Sequence, residues 1–246
     1  METINKKIET RRTHIRFLYA LSLVIGTCLL QPLSQAYASP EITAIQQSAE
    51  QGKADAQLNL GLRYLNGDGV SQNHQQGVFW LRKAGEQGQA SAQYALGFSY
   101  ENGVGVPQDH QQAVAWYQKA AEQGQAGAQF YLGAHYDNGT GVPQDQQQAI
   151  FWFRKAAEQG QVEAQYNLGV HYDNGIGLTQ DQQQAAIWYD KAAKQGFSKA
   201  QYNLAISYLN GQGVPQNKTQ AIFWLQKAAA RGHAGAQEIL DEIAQP

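Results

Sequence analysis

The segment QAGAQFYLGAHYDNGTGVPQDQQQAIFWFRKAAEQG (Gln125–Gly160) decides the fold, because the chain repeats it on both sides in an unbroken register. Gly52, Gly88, Gly124, Gly160, Gly196 and Gly232 fall every 36 residues. Trp80, Trp116, Trp152, Trp188 and Trp224 keep the same period, as do Tyr64, Tyr100, Tyr136, Tyr172 and Tyr208. Self-similarity at this spacing marks a stack of small helical units, which grows by adding layers and not by enlarging one core.

Within Gln125–Gly160 the residues predict a first helix over about 126–138 and a second over about 146–159. Asn138-Gly139 supplies the left-handed turn that stops a helix, Pro143 bars its continuation, and the Asp145 side chain can cap the next one. Asn73, Asp109, Asp181 and Asn217 hold the same capping position in the other units. Ala128, Leu132 and Tyr136 recur at i, i+4 and i+8 and form one apolar stripe. Phe130 and Ala134 form a second, so the first helix is apolar on two sides and needs a second neighbour or a ligand there. Gly61, Gly97, Gly133 and Gly169 permit close approach of a packed helix, and Ala149, Trp152, Phe153 and Ala156 give the second helix one wide apolar face. These patterns predict an all-α superhelix of five repeats (53–88, 89–124, 125–160, 161–196 and 197–232) between polar capping helices at 39–52 and 233–246.

The first 38 residues read differently. Lys6, Lys7, Arg11, Arg12 and Arg16 precede an apolar run from Phe17 to Leu30, and Ala36-Tyr37-Ala38 places small residues around a cut after Ala38. This layout predicts a cleavable export signal and a periplasmic or secreted product beginning at Ser39, since the run falls short of the ~20 residues of a spanning helix. The only cysteine, Cys28, lies in this leader, so the exported part holds neither disulfides nor thiolate metal sites. Removing a leader of charge +3 from a chain of net charge −2 leaves −5, which disfavours binding to a phosphate backbone.

The order Ala128, Leu132, Gly133, Tyr136, Gly139, Gly141, Val142, Asp145, Ala149, Trp152, Lys155, Ala156, Ala157 and Gly160 resembles the Sel-1-like repeat family, relatives of the tetratricopeptide repeats. The resemblance covers about residues 53–232. It implies a right-handed α-α superhelix and an adaptor that gathers proteins into complexes, with exported bacterial members linked to envelope function, signalling and host contact. The chain departs from the family's cysteine-rich secreted branch, for which β-lactam binding or hydrolysis has been proposed, because it has no disulfide in its repeats. Ala205 in place of glycine, Gly77 and Gly85 in place of alanine, and Ser71 and Thr179 in place of proline are small departures.

Reactive residues outside the repeat pattern are few. No Ser-x-x-Lys, His-Glu-x-x-His or Gly-x-x-x-x-Gly-Lys occurs, and Gly97-Phe98-Ser99-Tyr100-Glu101 lacks the final glycine of a nucleophile elbow. Gly103 and Gly105 recur in every turn as backbone devices, not as a dinucleotide loop. The sequence therefore predicts no enzyme, no catalytic residue, no cofactor and no metal; His135 and His171 read as exposed polar residues. The tryptophans read as core. By analogy with tetratricopeptide arrays, Tyr94, Phe98, Phe130, Tyr166 and Tyr202, joined by Glu101, Asp137 and Asp173, would line a concave face. That ladder suits a basic and apolar peptide or protein partner, or it seals each repeat against the next. The reading is a protein- or peptide-binding scaffold, favoured by the absence of every nucleophile and metal motif over a cell-wall enzyme or β-lactam-processing protein, with a peptidoglycan or saccharide binder left open by the aromatic rows. Neither nucleic acid nor, after cleavage of the leader, a membrane is expected as a partner.

Overall fold

In a computed structural model the described residues, 40–244, form twelve helices and no strand. The expected leader and its cut after Ala38 lie outside them. A lone helix α1 (Pro40–Glu50) precedes five helix pairs: α2 (Ala54–Asn66) with α3 (His74–Glu86), α4 (Ala90–Asn102) with α5 (His110–Glu122), and α6 (Ala126–Asn138) with α7 (Gln146–Glu158). Then follow α8 (Val162–Asn174) with α9 (Gln182–Lys194), α10 (Ser198–Asn210) with α11 (Lys218–Ala229), and a final helix α12 (Ala234–Ala244). Each helix packs chiefly on the helices before and after it in the chain, which is the layout of a solenoid.

Local chemistry sets the boundaries. Gly139 ends α6 with φ +70°, donating its N–H to the His135 carbonyl. Gln144 then turns back and donates its side-chain amide to the Asp137 carbonyl at 2.7 Å. The Asp145 carboxylate accepts from the N–H groups of Gln147 and Gln148 at the start of α7, and Asn73, Asp109, Asp181 and Asn217 cap their helices likewise. The helices of a pair are also tied by backbone, since the Asp145 N–H donates to the Tyr136 carbonyl at 2.9 Å.

The core straddles the repeat boundaries. One cluster joins Ala113, Tyr117 and Ala120 of α5 to Ala128 and Leu132 of α6 and then to Trp152 of α7. The next joins Ala149, Phe153 and Ala156 of α7 to Leu168 of α8 and Trp188 of α9. Trp116, Trp152, Trp188 and Trp224 therefore each join the second helix of the preceding repeat. Trp116, Trp152, Trp188 and Trp224 are buried, as the sequence predicts, while Trp80 at the N-terminal end is only half-buried. Within each pair the small residue of the first helix makes room for a larger one: a Cβ on Gly97 would sit 2.4 Å from the Tyr117 ring, and one on Gly133 would sit 2.8 Å from Phe153. Where Ala205 replaces this glycine, the residue opposite is Leu225.

A polar joint runs beside the apolar one. Gln57, Gln93, Gln129, Gln165 and Gln201 are all buried, and each donates to a carbonyl near the end of the helix before it, at 2.9–3.1 Å. These are Ala49, Gly85, Ala121, Ala157 and Ala193, whose carbonyls at the helix end also accept the N–H of Gly52, Gly88, Gly124, Gly160 and Gly196 at 2.9–3.0 Å. In the first four repeats the glutamine oxygen accepts in turn from Gln87, Gln123, Gln159 or Gln195 at 2.7–2.9 Å. A buried amide with both ends satisfied fixes the stacking register as well as the spacing.

Candidate functional site

The aromatic residues singled out in the sequence all lie on first helices, and most of them touch the next repeat. Tyr94 stands 6.1 Å from Tyr131, centroid to centroid, and a Cβ on Gly127 would meet its ring at 3.1 Å. Phe130 packs beside Phe153 at 6.0 Å. Tyr166 packs against Phe197 at 5.1 Å, and Tyr202 stacks on His233 at 4.3 Å. Burial pushes the phenols of Tyr94 and Tyr166 above their ordinary range. Phe98 differs from the rest, with 44% of its surface exposed. It continues a row of Leu62, Phe98, Ala134, Val170 and Ile206, and Leu62 at its N-terminal end is 40% exposed above an open groove shared with Leu58 and Asn59.

The three carboxylates are held from inside the stack. Glu101 Oε2 lies 2.9 Å from Nε2 of His135 in the next repeat and 3.1 Å from Nδ1 of His110. Asp137 Oδ2 faces Nε2 of His171 at 3.5 Å, again one repeat on. Asp173 has no histidine to meet, since Ser207 occupies that position, and instead accepts from the Tyr189 hydroxyl at 3.3 Å. The reading of His135 and His171 as exposed is thus corrected: they are 4% and 3% exposed, and their second nitrogens face the carbonyls of Thr140 and Ile176 at 2.7 and 3.1 Å. The pattern contains the signal for this, because Ala128, Leu132 and His135 stand at i, i+4 and i+7 on one stripe. The two histidines serve different carboxylates, and no group of three or more metal-ligating side chains able to hold a metal ion occurs among the described residues.

The second pair is tuned electrostatically. The hydrogen bond from His171 holds the Asp137 carboxyl below its usual range, against the opposing effect of burial. Burial depresses His171, yet the hydrogen bond to Asp137, the Ile176 carbonyl and the Asp137 charge together outweigh it and leave the imidazole raised. A raised histidine stabilises fully below its unfolded value of about 6.5 and loses this as pH rises through its folded value. A lowered aspartate stabilises fully above its unfolded value and loses this as pH falls through its folded one. The gap in melting temperature between wild type and His171→Gln is therefore expected to be widest between about pH 4 and pH 6.5 and to narrow on both sides. A gap that stays constant from pH 5.5 to pH 8.5 would show that the pair is not charged in the folded state.

The second helices carry a row that the sequence reading missed. Phe79, Phe151, Ile187 and Phe223 recur at the repeat period and are 45–48% exposed, with Ala115 in the remaining place. Lysines one turn on cover the aromatic surface: Lys155 stands 5.0 Å from the Phe151 ring and Lys191 stands 3.7 Å from that of Trp188. One face of the array is therefore basic and apolar, whereas the first-helix face carries acids.

This geometry, a repeated joint built from a close contact across each helix pair, a back-reaching tryptophan and a buried glutamine, coincides with one family. The Sel1 repeat model matches residues 54–89, 90–125, 126–161, 162–197 and 198–233. The chain belongs to the Sel1 repeat family. It is similar to a Sel1 repeat protein from Oxalobacter formigenes, with 36% identity and a TM-score of 0.73 over 81% of this chain and 57% of that one. It is also similar to a protective antigen of uropathogenic Escherichia coli strains that displays an SLR fold, at 36% identity and a TM-score of 0.53 over 79% of this chain and 50% of that one. The chain thus spans about half the length of these two relatives. No curated protein sequence matches it. Sel1 repeat proteins generally mediate protein–protein interaction, and the fold is typically a non-enzymatic scaffold. No helix among the described residues is long and apolar enough to cross a membrane.

Proposed function

We propose that this Sel1 repeat protein is an exported scaffold that binds a protein or peptide along the face formed by its first helices. The observation that carries the reading is the apolar row on that face, in which Leu62 and Phe98 remain 40% and 44% exposed beside half-buried Tyr94 and Phe130. Exposed aromatic and aliphatic anchors on a rigid surface are what a partner buries at the centre of an interface. Tyr166, Tyr202, Glu101, Asp137 and Asp173 extend the face, although their contacts also hold repeats together. Export rests on the basic, apolar and small-residue layout of residues 1–38, and on an exported part that has no cysteine to oxidise.

Charge reversal of Glu101 and Asp137 is a poor probe of this face, since it would also strip His135 and His171 of their buried partners. Phe98→Lys changes the exposed surface without touching those pairs. Crosslinking in the producing cell, with Phe223→Ser as a control on the opposite row, is expected to recover one partner with wild type and control and to lose it with Phe98→Lys. Equal recovery with all three would remove the first-helix face as the docking surface. Retention on purified peptidoglycan with no protein partner would replace the scaffold by a wall binder.

A further inference from the structure

The glutamine bridge fails at one joint, and the failure coincides with a groove of unusual chemistry. In the last repeat Arg231 stands where Gln87, Gln123, Gln159 and Gln195 close the other joints. Gln201 still donates to the Ala193 carbonyl at 3.0 Å, but its Oε1 is buried without a partner, in a side chain only 3% exposed. Arg231 has swung over Gly196, where a Cβ would sit 2.8 Å from its guanidinium; at Gly88, Gly124 and Gly160 the same space is empty within 4 Å. Among the described residues its guanidinium has neither a hydrogen bond nor an ion pair.

One other substitution at this joint acts in the same direction. Lys194 stands where the first three repeats have Glu86, Glu122 and Glu158. Its ammonium is shared with Asp190 at 2.6 Å, so it adds part of a charge. Lys227 lies 5.0 Å from the Phe223 ring. Lys194, Gln201, Phe223, Trp224, Lys227 and Arg231 line one open groove between the ends of α9 and α11.

From this we infer that the joint between the fourth and fifth repeats is a binding site for the free carboxy terminus of a peptide, separate from the first-helix face. The planar guanidinium of Arg231 and the ammonium of Lys227 match a carboxylate. The adjacent amide N–H of the same terminal residue is the donor that Gln201 Oε1 lacks. An apolar terminal side chain rests on Phe223 and Trp224. Sulfate fits less well, because every oxygen it turns toward Gln201 is another acceptor, and hydrogen phosphate offers a hydroxyl but no apolar side chain for Phe223 and Trp224.

The test uses the full chain and three small probes: N-acetyl-leucine, its amide, and 4-methylpentanoate, which keeps the acid but has no N–H. The readout is the Trp224 indole N–H resonance, one of five tryptophan signals, assigned with Trp224→Phe. N-acetyl-leucine is expected to shift it saturably, with the other two at least tenfold weaker. Arg231→Gln, which installs the residue the other four joints carry and so favours folding, is expected to abolish the shift. Equal binding of acid and amide, binding unchanged in Arg231→Gln, or an equal response to inorganic phosphate would each overturn the inference.

Discussion

Trp152→Ala is expected to lower the unfolding free energy by ~3–5 kcal/mol, read from urea denaturation followed by helical circular dichroism. Trp152 is 6% exposed and lies against α5 and α6, so its removal opens a cavity at the joint between the second and third repeats. The loss should be local first. Because neighbouring repeats stabilise one another through shared interfaces, amide exchange should accelerate in α5, α6 and α7 before it does in α10 and α11. A loss under about 1 kcal/mol would mean that the indole is not part of the core.

Gly213→Ala is expected to cost roughly 2–5 kcal/mol, from two sources that a second variant separates. At φ +70° any side chain carries a backbone penalty of about 1–2 kcal/mol. The new Cβ would also sit 1.9 Å from the Gln182 carbonyl, which belongs to the preceding repeat and is part of a helix, so it cannot step aside. Gly124 shares the positive φ, at +90°, but nothing lies within 4 Å of its missing side chain. Gly124→Ala should therefore show the backbone penalty alone. If both variants lose the same stability, the turn of one repeat does not press on the helix of its predecessor as described.

Most of the helix boundaries were legible because local rules set them: a glycine turn, a proline and a capping side chain act within a few residues. The second helix of the third repeat ends at Glu158 and not at Gln159, since Gln159 donates its N–H to Ala156 three residues back and tightens the last turn. The candidate site was harder, because it depends on what lies one repeat away. Nothing in the local pattern says that Glu101 reaches forward to His135, or that Gln129 reaches back to the Ala121 carbonyl. The histidine burial could have been read from its i+7 position, and the glutamines from a polar residue kept beside Ala128 in every unit. Both are masked because a polar side chain on an amphipathic helix ordinarily faces solvent. The exposure of Phe79, Phe151, Ile187 and Phe223 had no such signal, since an apolar residue next to tryptophan on an amphipathic helix reads as core.

A core that spans the boundary between units also determines how such a gene can change length. Each joint combines the second helix of one unit with the first helix and tryptophan of the next, so excising any one complete unit brings together two halves that already fit. Excising half a unit does not, because it sets two first helices or two second helices side by side with no tryptophan pocket between them. Unequal recombination between units therefore yields shorter and longer foldable descendants as long as it conserves phase. Replacing the terminal unit, where arginine interrupts the glutamine series, with a copy of another would restore the glutamine bridge at that joint.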